Sequence, residues 1–263
     1  MSTEMTSSQA QMSVPSASTR NRLLQLIPKD ELAKLLSKSE EVQIQPRQIL
    51  HHWRLPMDHV YFIERGLVSV SARIDEHRFV EAWLIGSEGM VGAPLVLTQG
   101  DQTPPHRRVV QVGGMARRVA AREFLALLPE LATLQMVLLR YIDVVLLQAS
   151  QSGVCNAAHS LKQRLARWLL VARNALEAEA LPLTHDVLSQ LLGVRRASVT
   201  DCLEALETEG LIHNARGLVT IANAQLLKQS SCDCFGLIDR EYHRQLSLEA
   251  VGARPPEARP FVR

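Results

Sequence analysis

The sequence predicts an α+β chain built from an N-terminal antiparallel β-roll, jelly-roll-like, a long dimerisation helix and a C-terminal winged helix-turn-helix. Three observations predict it. Between Val42 and about Val119 apolar residues recur every second position in short segments, among them HVYFIE, GLVSVSAR and FVEAWLI, separated by turn signals at Pro46, Pro56, Gly66 and Gly86. From Glu130 to about Cys155 the period becomes helical without a break. Thr184 to Ile212, THDVLSQLLGVRRASVTDCLEALETEGLI, then holds two helical patterns across the single Gly193.

Composition narrows the class further. A chain of 263 residues, 46% hydrophobic and 21% charged, has enough apolar mass for two cores. The best membrane-span candidate, Leu131 to Leu147, carries Arg140 and Asp143 in its middle and is short for a span, so it is expected to be a buried or oligomerising helix. The first twenty residues lack the basic and apolar regions of a secretory signal, and four cysteines fit a reduced compartment, so a cytoplasmic protein is expected. A formal charge of +2 decides nothing about nucleic acid, because a basic face can sit on a nearly neutral molecule.

Taken in order, residues 1–19 are too polar to bury a core and read as a disordered tail. Residues 20–128 hold a short helical stretch, with Asp30 and Glu31 in a first turn, and then the roll, expected to be a sensor domain. Residues 129–156 form the long helix. Its heptad row Leu131, Leu134, Leu138, Tyr141, Val145, Gln148, Ser152 and Cys155 leaves extra apolar breadth at Val137, Val144 and Leu146, so the helix is expected to pack on its own roll and on a partner copy. Residues 157–235 are the winged domain. Ser160 and Gln163 make a capping box that starts a new helix beside a hinge at Asn156 to Ser160, and Leu181-Pro182 closes it. LIHNARGLVTIAN reads as a hairpin, and residues 236–263 as a tail.

Within Thr184 to Ile212, Thr184 is a good N-cap, and Leu188, Leu191, Leu192, Val199, Cys202, Leu203 and Leu206 face one core. The second helix, about Arg196 to Glu209, is expected in a DNA major groove. The DNA-contacting set is Thr184, His185, Arg195, Arg196, Ala197, Ser198, Thr200 and Asp201, with Arg216 of the wing on phosphate. Gly86, Gly89 and Gly92 read as tight turns in the roll ahead of a phosphate cradle, since no helix pattern follows them. His51, His52, His59 and His106 lack a paired ligand spacing, and Cys232 and Cys234 stand too close for the usual zinc spacing, so no metal site and no cofactor are expected. No nucleophile, base and orienter fall into a catalytic signature, so the chain is not read as an enzyme.

The order of parts, with LLGVRRASVTDCLEALETEGLI, ARGLVTI, CNAAHSLKQRLARWLL and IGSEGMVGAP, resembles the Crp/Fnr superfamily of bacterial transcription regulators over roughly residues 22–235. The resemblance implies a homodimer reading a palindromic operator in double-stranded DNA, contact with RNA polymerase, a small-molecule effector in a cyclic-nucleotide-binding-like roll, and no membrane. Pocket candidates on that basis are Gly92, Ala93, Pro94, Arg107, Arg108 and Ser150. Members that bind cyclic AMP carry a Gly-Glu pair and an Arg followed by Ser or Thr; here Gly92-Ala93-Pro94 lacks the carboxylate and Arg108 is followed by Val109, which argues against cyclic AMP. Oxygen-sensing members need an N-terminal cysteine cluster, and no cysteine precedes Cys155. Ala197 stands where many members have Glu and Asp201 where several have Arg, so no consensus operator transfers. Two alternatives stay open at this level: a signalling module acting through protein contacts, and a haem-based gas sensor.

Overall fold

The computed structural model describes residues 18–76, 78–98 and 103–252; residues 1–17 of the first expected tail and 253–263 of the second lie outside them. The chain enters through a one-turn helix, Leu24–Leu26, and α1 (Lys29–Ser37). The roll follows as β1 (Ser39–Ile44), β2 (Ile49–His51), β3 (His59–Arg73), β4 (Phe79–Ile85), β5 (Met90–Val91), the short α2 (Pro94–Leu97), β6 (His106–Ala120) and α3 (Ala121–Leu127). These strands form one antiparallel sheet in the order β1-β6-β3-β4, with β2 on β6 and β5 on β3.

β3 shows how the pattern becomes architecture. Side chains alternate between faces, so Tyr61 and Ile63 enter the interior of the roll while Val60 and Phe62 join the core beneath the long helix. The pairing with β6 then slips between Ile63 and Arg65, and again between Arg65 and Leu67 and between Leu67 and Val68. The first slip adds a residue to β3, at Glu64, and the other two add theirs to β6; the one added to β3 reverses the facing of the residues after it. Beyond the slips the even-numbered Val68 and Val70 line the interior, and Leu67 turns instead into the core of the C-terminal domain.

The long helix α4 spans Ala132–Ala158. By length and composition alone it could cross a membrane, but its Leu134, Val137, Leu138, Tyr141 and Val144 are buried in the roll's own core. Its first turn has no side-chain cap of its own. Glu31 of α1 supplies one, accepting from the backbone N–H groups of Thr133 at 3.0 Å and Leu134 at 2.9 Å, so this carboxylate serves a distant helix rather than the dipole of α1 alone. The expected heptad row is an intramolecular face: apart from half-buried Val145, all its members are buried within the protomer. The open side carries Leu139 (47% exposed), Leu146 (61%) and Val154 (51%).

The capping box at Ser160 and Gln163 starts α5 (Leu161–Leu176), which ends on Glu177 in a left-handed conformation, φ 53°. The chain then forms β7 (Ala180–Leu181), a strand absent from the sequence reading because two residues are too short to show a period. After it come α6 (His185–Leu192), α7 (Arg196–Thr208), β8 (Ile212–Ala215) and β9 (Leu218–Ile221), with β9 central in a three-stranded sheet β7-β9-β8.

Residues 236–252 correct the expected tail. α8 (Ala224–Ser230) leads to α9 (Cys234–Gln245) and α10 (Leu248–Gly252), and α9 packs along α4. Arg140 of α4 donates to the carbonyl of Ala250 at 2.6 Å, and Gln245 donates to Asp143 at 2.6 Å. The two charges in the middle of α4 therefore hold the last helices in place.

Candidate nucleic-acid interface

Local chemistry explains the helix-turn-helix. Thr184 caps α6 by accepting from the Val187 N–H at 3.2 Å. Gly193 takes φ +67°, where a side chain is disfavoured, and a Cβ added there would stand 3.0 Å from Val80 of β4. The chain turns and α7 begins at Arg196, with Leu188, Leu191 and Leu192 facing Val199, Leu203 and Leu206 in one buried cluster. Arg195, Arg196, Ala197 and Asp201 are exposed at the start of α7, with Ser198 and Thr200 half-buried beside them.

His185 has a structural role that sequence reasoning missed. Its Nδ1 is 2.9 Å from the Thr200 hydroxyl and its Nε2 is 3.1 Å from Oδ1 of Asn214, so one imidazole ties α6, the middle of α7 and the wing together. No periodicity signals this, because the three residues lie far apart in sequence. β8 and β9 turn through Arg216 and Gly217, the latter at φ +76°, which leaves Arg216 exposed at the tip.

Between Thr184 and Gly217 the arginines Arg195, Arg196 and Arg216 face five carboxylates, Asp186, Asp201, Glu204, Glu207 and Glu209, so position matters more than net charge. The arginines sit at the N-terminal end of α7 and at the wing tip. Glu207 and Glu209, at the far end of α7, are occupied within the domain: Glu207 accepts from the Asn214 N–H at 2.7 Å and Glu209 pairs with Lys162. Arg196 is 3.4 Å from Asp186 in a pair that is more than half exposed and therefore weak, so its guanidinium is free to exchange partners.

The pocket candidates do not assemble in the same way. Gly92, at φ +115°, packs so closely on Val60 that a Cβ would come within 2.7 Å of it, and Gly86 and Gly89 are equally tight against Ala175 and Tyr141, so these glycines serve close packing. Ala93 and Pro94 lead into α2. Arg107 stacks on Phe79 at 4.0 Å, and Arg108, 1% exposed, donates to the His106 carbonyl at 2.9 Å while burial pushes it down to about 10. Ser150 is exposed and donates to Leu146 O at 2.8 Å. None of the six lines the 460 Å³ cleft between α5, α9 and the Gly86–Gly89 turn, where Arg22, Gln148, Arg173, Asp239 and Tyr242 converge.

Three of the four roll histidines, His51, His59 and His106, are engaged as well, and His52 is exposed. His51 donates to the His59 carbonyl at 2.7 Å and is pushed down to about 4 by burial, and His106 meets Trp83 edge-on at 5.4 Å. The cysteines depart from the expectation. Cys202 packs against the core of the winged domain, but Cys155, Cys232 and Cys234 converge with His159, a grouping invisible in the chain spacing of Cys232 and Cys234 alone.

Residues 163–230 match the Crp-like helix-turn-helix domain. No curated protein matches the chain in sequence. Among solved structures it is similar to the c-di-GMP-responsive global regulator CLP of Xanthomonas campestris, at 18% identity over 74% of this chain and 99% of that one, TM-score 0.60. It is similar also to FixK2 of Bradyrhizobium japonicum, at 15% identity over 74% and 98%, TM-score 0.63. A CRP/FNR-family transcriptional regulator from Thermus thermophilus follows at 22% identity over 73% and 98%, TM-score 0.58. The chain thus carries a Crp-like helix-turn-helix domain within the fold of the Crp/Fnr transcription regulators.

Proposed function

We propose that this protein is a cytoplasmic bacterial transcription regulator, without catalytic activity, that binds a palindromic operator as a homodimer and acts on RNA polymerase. The observation that carries this reading is the exposed N-terminal end of α7, where Arg195, Arg196, Ala197 and Asp201 stand clear of a core that fixes the helix, with half-buried Ser198 beside them and Arg216 of the wing on the same domain. Arg196 and Ser198 read base edges, Arg195 and Arg216 hold phosphate, and Thr184 bounds the interface at the cap of α6. His185 and Thr200 act by holding the recognition helix against the wing. The dimer forms through the open side of α4 at Leu139 and Leu146. Control by a small effector in the roll acts by shifting the population between orientations of the two recognition helices about the α4–α5 junction.

The test is gel retardation on operator fragments selected from random DNA. Arg196→Ala is expected to weaken binding by about 1–3 kcal/mol per half-site and to relax sequence preference, whereas Arg216→Ala weakens all sequences alike and lowers the salt slope by about 0.9 per half-site. A folded protein that retards no DNA at low salt removes this function.

A further inference from the structure

The end of the long helix and the loop between α8 and α9 meet in a cluster of four side chains that the DNA-binding role does not use. Cys155 and His159 lie one turn apart on and just after α4, so both point the same way. Cys232 precedes α9 and Cys234 is its first residue, and the Phe235 N–H to Cys232 carbonyl bond at 3.2 Å folds the two thiols to one side. Three sulfurs and one imidazole nitrogen lie within 4.8 Å of one another, with Cys155 Sγ 3.5 Å from Cys232 Sγ and Cys234 Sγ 3.8 Å from His159 Nδ1.

Those distances discriminate among the chemistries available to thiols. A disulfide holds its sulfurs at about 2.05 Å, far closer than the Cys155–Cys232 pair. A single tetrahedral ion with bonds of about 2.3 Å to sulfur and 2.0 Å to nitrogen sets its ligand atoms about 3.5–3.8 Å apart; the Cys155–Cys232 and Cys234–His159 pairs stand at that separation, and all four ligand atoms keep within 4.8 Å, a small contraction from it. A multi-iron cluster spaces its cysteines more widely. The three cysteines are buried and form a small core of their own, and His159 closes the side nearer solvent.

The surroundings fit the charge of such a centre. Three thiolates around a divalent cation leave one net negative charge. Arg167 of α5, 7% exposed, acts electrostatically on both Cys155 and Cys234, and its Nε has no hydrogen-bond partner within the protein. This guanidinium also acts on the Glu81 carboxyl of β4, and a metal-thiolate centre gives it a second anionic neighbour on the side of the sulfurs.

We propose that Cys155, His159, Cys232 and Cys234 form a closed, four-coordinate Cys3His site for Zn²⁺. Thiolates with one imidazole select zinc over the hard cations that prefer oxygen, and four protein ligands leave no position for substrate, so the ion is structural. It fastens the C-terminal end of α4 to the start of α9, at the junction from which α5 and the winged domain depart.

The full-length protein, purified under reducing conditions, is expected to contain about one zinc ion per protomer by elemental analysis. After removal of the metal, titration with Co²⁺ alone is expected to give the visible d–d bands and near-ultraviolet thiolate charge-transfer band of tetrahedral cobalt, displaced by Zn²⁺. Cys234→Ser loses stoichiometric binding and the metal-dependent rise in Tm, while His159→Cys keeps the ion and strengthens the charge-transfer band, so that a role limited to packing is separated from ligation. A folded wild-type protein with reduced thiols that binds no Co²⁺ overturns the proposal, as does an iron–sulfur spectrum after anaerobic purification. A cobalt spectrum unchanged in His159→Ala removes His159 from the site.

Discussion

At the scale of single residues, the side chains that matter most often act away from their own element. Glu31 lies in α1, yet its carboxylate occupies two N–H groups at the start of α4, where no local side chain does so. Glu31→Ala is expected to lower stability by about 1–2 kcal/mol, with Glu31→Gln recovering part of it through its one remaining acceptor, as read from denaturant unfolding. His185 is the matching case at the other end of the molecule. The sequence supports it as a polar residue near DNA, but its two hydrogen bonds make it a brace. Such long-range partners were not legible, since periodicity reports a residue's face and not what faces it. The caps at Thr184 and Ser160 and the turn at Gly193 were legible because each rests on backbone chemistry within four residues.

At the scale of elements, α4 separates what a pattern can and cannot decide. Its helical period and breadth predicted two packing partners, and the apolar row at Leu134, Leu138 and Tyr141 meets the roll. The pattern could not say that α9 would occupy a further part of the surface, because α9 has few apolar residues and its Arg140 and Asp143 contacts are polar. What remains open is the side bearing Leu139 and Leu146, seven residues apart. Leu139→Asp combined with Leu146→Asp is expected to convert a dimer to monomers in sedimentation velocity, with operator affinity falling by orders of magnitude as the second half-site contact is lost. Dimers of unchanged stability in that variant rule out this face.

At the scale of the whole molecule, the roll and the helix-turn-helix domain are not two beads on a linker. Leu67 and Leu84 of the roll lie in the same apolar cluster as Trp168 and the helix-turn-helix core, and Trp168 donates from Nε1 to Glu81 at 2.7 Å. Desolvation at that contact pushes the Glu81 carboxyl up from 4.5 to about 7. The folded protein therefore holds this proton more tightly than the unfolded chain. The stability tied to it is present in full below about pH 4.5 and is lost as pH rises through about 7. Thermal unfolding of Glu81→Gln is expected to lack this decline while wild type shows it; parallel profiles for the two would dismiss the contact as a pH-sensitive joint.

The slips in the β3–β6 pairing between Ile63 and Val68 lie where the roll's two allegiances divide. Upstream of them Val60 and Phe62 answer to α4, and at their far end Leu67 answers to the domain that carries α7. Those few residues work like a crossed belt between two pulleys: one ribbon turns in opposite senses on its two sides. Length there is consequently a quantity the protein cannot vary. A deletion of one residue, harmless in a surface turn, would exchange the inner and outer side chains of half the strand and be felt at the recognition helix, though it touches neither the helix nor any DNA.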